Sequence, residues 1–239
     1  MIVAMMIDTV YIGILGAAEL AAISFTFPFI MALSSVSMGI GTGAASLIAR
    51  AQGAGDRQLA RRYTTHSLIL ATTMLVLIMS LAYVYLEPLF TIMGVQPELL
   101  PMVVEFMTVF ILGLPFFSLP MVTSTVLRAV GNAKIPGYVM TSTSGVQIVI
   151  APLFIFGLLG MPEMGIVGSA WAAVLSGLMR TLGMFAILIF DERLILPVRG
   201  WATNIVRSTW SILYIGLPSM LNSLIGPVTM AIVIRLLSA

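Results

Sequence analysis

The chain has 239 residues, of which 60% are hydrophobic and only 8% charged, with a formal net charge of +2. Soluble domains carry roughly 25% charged residues, so together with a mean hydropathy of +1.13 this composition excludes a soluble fold and predicts an integral membrane protein, all-α and polytopic. The absence of Cys excludes a disulfide framework or thiolate metal site, one His builds no His cluster, and the small net charge gives a nucleic-acid partner no electrostatic support.

The first apolar run, Ile2 to Leu15, contains one carboxylate, Asp8. Only seven residues precede it, whereas a spanning helix needs about 20, so this run predicts a first helix without its beginning. The second run extends from about Ala22 to Ala49 and contains Pro28. It stops at Gly53-Ala54-Gly55-Asp56, where a glycine ends one helix and Asp56 caps the next. The third covers about Leu59 to Leu86, ending at Glu87-Pro88. His66 falls near its start, at the membrane interface. The fourth occupies about Glu98 to Val130, with Pro115 and Pro120 inside it. Gly131-Asn132-Ala133-Lys134 makes the next turn, and Pro136 opens a fifth helix reaching about Leu159. A sixth runs from about Ile166 to Phe190. The polar stretch Asp191 to Arg207 divides the chain, and a seventh run begins near Ser208 and continues to Arg235-Leu-Leu-Ser-Ala239.

The expected organisation is therefore a first bundle of six helices over 1–190, a linker over 191–207, and the first helix of a second bundle over 208–239. The two apolar runs at the chain's ends echo each other weakly, and transporters are often built from two such repeats. The chain is thus expected to be a fragment whose partner is a second bundle of the same protein.

Lys and Arg placement orients the helices. Arg50, Arg57, Arg61, Arg62, Arg128, Lys134, Arg193, Arg199 and Arg207 all lie after the second, fourth and sixth runs. The other connections carry only acids, such as Glu19, Glu87, Glu98 and Glu163. By the positive-inside rule, the connections between helices two and three, four and five, and six and seven are cytoplasmic, in the plasma membrane. The same arginines could also contact anionic lipid heads.

A carboxylate at bilayer depth is costly and usually faces a cavity on an ion or substrate route; the bland alternative is an acid snorkelling to water from a helix end. In the fifth run Thr141, Ser142, Thr143, Ser144 and Gln147 form a polar stretch. Thr143, Gln147 and Ala151 are four apart and share one face. That face reads either as a cavity wall opposite Asp8 or as interhelical packing by small hydroxyl residues. Arg180, the one base well inside a helix, either snorkels or pairs with a residue that the sequence does not identify. Gly39-Ile-Gly41-Thr-Gly43-Ala44 fits a relaxed nucleotide fingerprint, but it sits mid-helix and reads as a small-residue packing face.

Several stretches carry a family resemblance. Asp8-Thr9 with Ile12-Gly13, Leu15-Gly16 and Leu20-Ala21-Ala22 resembles the first helix of multidrug and toxin extrusion (MATE) transporters. Gln52-Gly-Ala-Gly-Asp56, Leu127-Arg-Ala-Val-Gly-Asn132 with Pro136, and Pro152-Leu-Phe-Ile-Phe-Gly157 with Gly165-Ile-Val-Gly168 resemble later parts of that family's first half, in order and spacing. The resemblance covers essentially the whole chain. It implies an antiporter in which inward Na+ or H+ drives export of small organic, often cationic, compounds. Asp8 would be the coupling acid, with Gln147 beside it and Tyr11, Thr143 and Ser144 lining the substrate cavity. Many members carry Asn and Asp where this chain has Gln147 and Ala151, so a two-acid cation site is not expected here. A lone Asp8 could bind a proton or contribute to a weaker sodium site. No cofactor and no resident metal is expected.

Three other readings stand beside this one. A lipid-linked saccharide flippase of the same superfamily would share the bundle but line its cavity with more cations. An intramembrane enzyme would want Ser–His, paired Asp or a His metal motif inside the helices, none of which is present. A non-transporting scaffold would show no substrate-dependent counter-ion uptake.

Overall fold

The structure is a computed structural model and describes residues 2–160, 162–196 and 204–238. Seven α-helices follow in order: α1 (Ile2–Leu15), α2 (Ala17–Gly53), α3 (Arg57–Ile92), α4 (Leu100–Ala129), α5 (Lys134–Ile155), α6 (Gly165–Ala186) and α7 (Ile205–Ser238). A 3-10 turn at Leu158–Gly160 follows α5, and a π-type turn at Ile187–Asp191 widens the end of α6. Among the described residues there are no strands, and six of the helices are long and apolar enough to cross a membrane. In lipid a helix satisfies its own backbone, which is why so apolar a chain takes this form throughout. α1 has 14 residues, giving it a length of about 21 Å, short of a full span.

The helix ends follow local chemistry. Gly55 (φ 74°) and Gly131 (φ 93°) adopt the left-handed conformation that stops a helix at little steric cost. In each turn the next residue's amide reaches back to close it: Asp56 N–H donates to Ala51 O at 2.9 Å, and Asn132 N–H to Leu127 O at 2.9 Å. The Asp56 carboxylate then accepts from Leu59 N–H at 2.9 Å, capping α3 as expected.

Several boundaries differ from the sequence expectation, among them the end of α5, which stops at Ile155 and not near Leu159. α1 and α2 are joined by Gly16 alone, and Glu19 lies in the first turn of α2, where a carboxylate complements the helix dipole. α3 does not end at Glu87-Pro88 but continues to Ile92. Leu86 and Phe90, either side of Pro88, are buried in the core, and that packing outweighs the backbone bond that Pro removes. α6 keeps α-helical geometry only to Ala186.

α2 is the central element and packs against α3, α4 and α7, while α6 bridges α4 and α5, and α1 lies on α5, α2 and α6. Two main core clusters result. One joins Ile12, Ile23, Leu33, Leu75, Phe90 and Met107. The other, toward the end of the bundle that carries most of the arginines, joins Ile40, Ile48, Leu70, Val126, Leu188 and Ile212. A small third cluster of Ala151, Ile155 and Ala172 fastens α5 to α6, with Tyr11 and Leu15 of α1 packed on it.

The glycines of α2 do what the small-residue reading requires. A methyl group at Gly39 would lie 2.7 Å from Met220 Cβ and 2.9 Å from Gly216 O, and one at Gly43 would meet Ile212 O directly. α2 and α7 therefore approach backbone to backbone along Gly39, Gly43 and Gly216, and Ser35 Oγ donates across to Ser223 O at 3.1 Å.

Of the expected linker, positions 205–207 already belong to α7, and the segment 191–196 is tied down. Arg57 Nη2 donates to Glu192 O at 3.0 Å and Arg61 Nη2 to Ile195 O at 3.1 Å. Asn132 Nδ2 donates to Glu192 Oε1 at 2.8 Å, and Leu196 N–H to Thr65 Oγ1 at 2.9 Å. Arg57 and Arg61 thus serve as clamps on this segment as well as topological charges. His66 is 0% exposed, packed inside the bundle within the buried run Thr64 to Ser67. Positions 197–203 of the linker, Arg199 included, and Ala239 lie outside the described residues.

A polar cluster between α1, α5 and α6

Asp8 sits midway along α1 and turns toward α5. Gln147 Nε2 donates to Asp8 Oδ2 at 2.8 Å, and Ser176 Oγ of α6, whose one proton has Ala173 O at 3.0 Å, also reaches Gln147 Oε1 at 3.4 Å. The Gln147 amide thus has its amino end on the carboxylate and its carbonyl end toward the Ser176 hydroxyl, the orientation that suits an acid on one side and a hydroxyl on the other. Asp8 Oδ1 is buried and has no hydrogen-bond partner among the described residues. A carboxylate oxygen enclosed in this way is costly unless a proton or cation joins it.

One helical turn from Gln147 stands Thr143, and one turn from Ser176 stands Arg180. These two also meet: Arg180 Nε donates to Thr143 Oγ1 at 3.1 Å. Thr143 can accept because its own hydroxyl proton is directed to Val139 O at 2.7 Å. The face shared by Thr143 and Gln147 is therefore neither wholly a cavity wall nor wholly packing. Gln147 engages Asp8, and Thr143 engages the arginine whose partner the sequence left unidentified. Arg180 is 8% exposed, so it does not snorkel.

The other expected site residues lie around this pair of rungs. Tyr11, three residues beyond Asp8 on α1, packs edge-on to Phe156 with ring centroids 6.2 Å apart, above the Ala151–Ile155–Ala172 cluster. Ser144 is buried, and its hydroxyl returns to Met140 O at 2.8 Å. Thr141 and Ser142 point out of the bundle. Ala151, where the resemblance would allow a second acid, is 0% exposed in the α5–α6 contact. Ser176 is the cluster member that sequence reasoning missed. Its spacing of four from Arg180 repeats the spacing of Thr143 and Gln147, and two such pairs on neighbouring helices are the pattern that could have revealed it.

The described residues contain no group of three or more His, Asp or Glu that could hold a metal ion. What the cluster offers is one buried carboxylate, an amide, two hydroxyls and a guanidinium. That set can exchange a proton or hold a monovalent cation loosely at Asp8. It contains no nucleophile–base pair for hydrolysis.

Comparison with known proteins places this architecture. The family model MatE matches residues 1–153. The chain is 31% identical over 232 residues to an FAD transporter of Shewanella oneidensis, covering 97% of this chain and 51% of that protein. It is 28% identical over 175 residues to the probable multidrug resistance protein YoeA of Bacillus subtilis, covering 73% of this chain and 37% of that one. The solved inward-facing structure of a multidrug resistance MATE family transporter superposes with a TM-score of 0.83 at 30% identity, covering 95% of this chain and 51% of that one. The chain spans about half the length of the FAD transporter and of that solved structure. Its helix order, its buried acid and these similarities have one common explanation: the chain belongs to the MATE family of membrane transporters, and not to any class of enzyme.

Proposed function

We propose that this chain supplies the ion-coupling bundle of an antiporter that exports small organic compounds, cations among them, with Asp8 as the coupling acid and Na+ or H+ as the coupling ion. One observation carries this reading: Asp8 is held on one oxygen by Gln147, while its other oxygen is buried and unpartnered. A proton or a sodium ion arriving at Oδ1 would neutralise the group and remove the cost of enclosing it. The closed arrangement of α1 on α5 and α6 is then stable when Asp8 is occupied and less so when it is empty. An ion gradient can drive alternation through that difference.

With one acid, an amide and hydroxyls, the cluster suits a proton or a weakly held sodium ion. A carboxylate facing the cavity favours organic cations as cargo. One relative is named for FAD, an anionic dinucleotide, so substrates of the family are not all cations. The saccharide-flippase alternative calls for several cations on the cavity face, and among the described residues of this cluster Arg180 is the single one. The remainder of the transport path belongs, in this reading, to a second bundle packed beside the first. The protein sits in the plasma membrane with the arginine-rich end of the bundle in the cytoplasm.

The test is ion-driven efflux of a cationic dye from vesicles containing the protein of which this chain is part. Asp8→Asn keeps the shape and removes the charge. It should abolish efflux driven by an imposed proton or sodium gradient while expression and insertion stay near wild type. Wild-type coupling in Asp8→Asn would remove Asp8 from the mechanism.

A further inference from the structure

Arg180 is a full positive charge inside the bundle, with no carboxylate within the 4.0 Å of an ion pair among the described residues. Its single hydrogen bond among the described residues is from Nε to Thr143, a neutral hydroxyl. The two Nη groups donate to no described residue, yet they are not among the fully enclosed unpartnered atoms. The guanidinium is thus anchored by its inner nitrogen, with its outer edge under-used and still reachable. Buried charges are normally paired, and a planar guanidinium edge matches the two oxygens of a carboxylate or phosphate. The anchor also has the right chemistry: Thr143 neutralises none of the charge and fixes the plane. The two rungs stack, because Thr143 lies one turn from Gln147 and Arg180 one turn from Ser176, neighbours of about 5–6 Å on each helix. An occupant of Arg180 therefore lies on the same α5–α6 face as the Gln147 rung that holds Asp8, one helical turn along it.

We infer that Arg180, positioned by Thr143, is an anion-accepting subsite on the α5–α6 face, which takes a carboxylate or phosphate group of an organic ligand. This rests on the reading that the Asp8 cluster faces the transport cavity, and it widens the substrate class from cations to compounds bearing an acid group. Asp8 and Arg180 together give the face one pole of each sign, so zwitterions also fit it.

Two xanthene dyes of similar ring system and opposite charge, carboxyfluorescein and rhodamine 6G, test the subsite by equilibrium binding to the purified protein in phosphatidylcholine nanodiscs. No gradient is needed, so the result is independent of whether Asp8 drives transport; failure of coupling and failure of the subsite are read separately. Arg180→Gln should weaken carboxyfluorescein binding by about tenfold or more, with rhodamine binding little changed. Arg180→Lys should retain part of the affinity, since it keeps the charge and loses the fork. Thr143→Val should weaken the same dye less, and this milder variant carries the test if Arg180→Gln does not fold. Repeating the titration with phosphatidylglycerol in the disc separates the sources of the anion. Both lipids carry a phosphate and only phosphatidylglycerol is net anionic, so an Arg180-dependent loss of dye affinity there identifies an anionic lipid headgroup as the competing ligand, whereas unchanged affinity identifies a soluble one. Carboxyfluorescein affinity unaffected by Arg180→Gln, or equal loss of both dyes in the Lys and Val variants, would overturn the proposal.

Discussion

At the scale of single residues, the Asp8–Gln147 contact makes its two members unequal. Removing Gln147 takes away one neutral donor and leaves both carboxylate oxygens without a partner, which costs about 1–3 kcal/mol. Gln147→Ala should therefore slow ion-driven efflux less than Asp8→Asn does, because the titrating group survives; initial rates at several gradient sizes would show this. Ala151 offers a sharper contrast. Placing an Asp there imitates the two-acid pattern of other family members, but Ala151 is fully enclosed by Ile155 and Ala172. Ala151→Asp should thus destabilise the α5–α6 contact by on the order of 3 kcal/mol, seen as a lower melting midpoint in detergent. An unchanged midpoint would mean that this contact opens readily. Asp8 and Gln147 were legible in the sequence because a lone acid in an apolar run is conspicuous and because four-residue spacing fixes a helix face. Ser176 was not, since a serine in a membrane helix has the same appearance whether it packs or serves a site. The partner of Arg180 depended on how α5 and α6 rotate against each other, which no local pattern encodes.

Among elements, the crossing of α2 and α7 shows a rule acting at short range. Interhelix association in lipid relies on close packing of small residues, since burying apolar surface gains little there. Gly43 touches the backbone of Ile212, so no side chain at Gly43 can rotate clear of the contact. Gly43→Val should force α2 and α7 apart at a cost of about 1–3 kcal/mol, with a cysteine pair introduced at Ser35 and Ser223 losing cross-linking efficiency. Gly53, with open space around its would-be Cβ, is the control, and Gly53→Ala should leave that cross-link intact. The helices themselves were legible almost to their ends, because long apolar stretches and Gly-Asp or Gly-Asn turns carry their own instructions. The errors fell where tertiary packing overrode local chemistry: Pro88 did not stop α3, because Leu86 and Phe90 are both buried. The anchoring of 191–196 was not legible either. A run of arginines looks the same whether it faces lipid heads, water or the backbone carbonyls of Glu192 and Ile195.

For the molecule as a whole, charge and fold make one joint statement about direction across the membrane. The turns at Gly55 and Gly131 and the strap at 191–196 lie together, bound to one another through Arg57, Arg61 and Asn132, so they occupy the same side of any bilayer the bundle crosses. The turn at Gly94 and the 3-10 turn at Leu158–Gly160 follow α3 and α5, and so lie at the opposite end. Internal geometry thus reduces the choice to two orientations. Of the two, we propose the one with the arginine-rich end in the cytoplasm, since translocating a cluster of arginines is opposed and the acidic connections carry no such penalty. A reporter fused after Asp56 or after Lys134 should be active only as a cytoplasmic fusion, and one after Val95 or Pro162 only as an external one. Both pairs reversed would invert the orientation while leaving the fold intact. Two fusions on the same side of the bundle that reported opposite compartments would contradict the structure itself, because α2, α3 and α4 would then not cross the membrane in the order in which they pack.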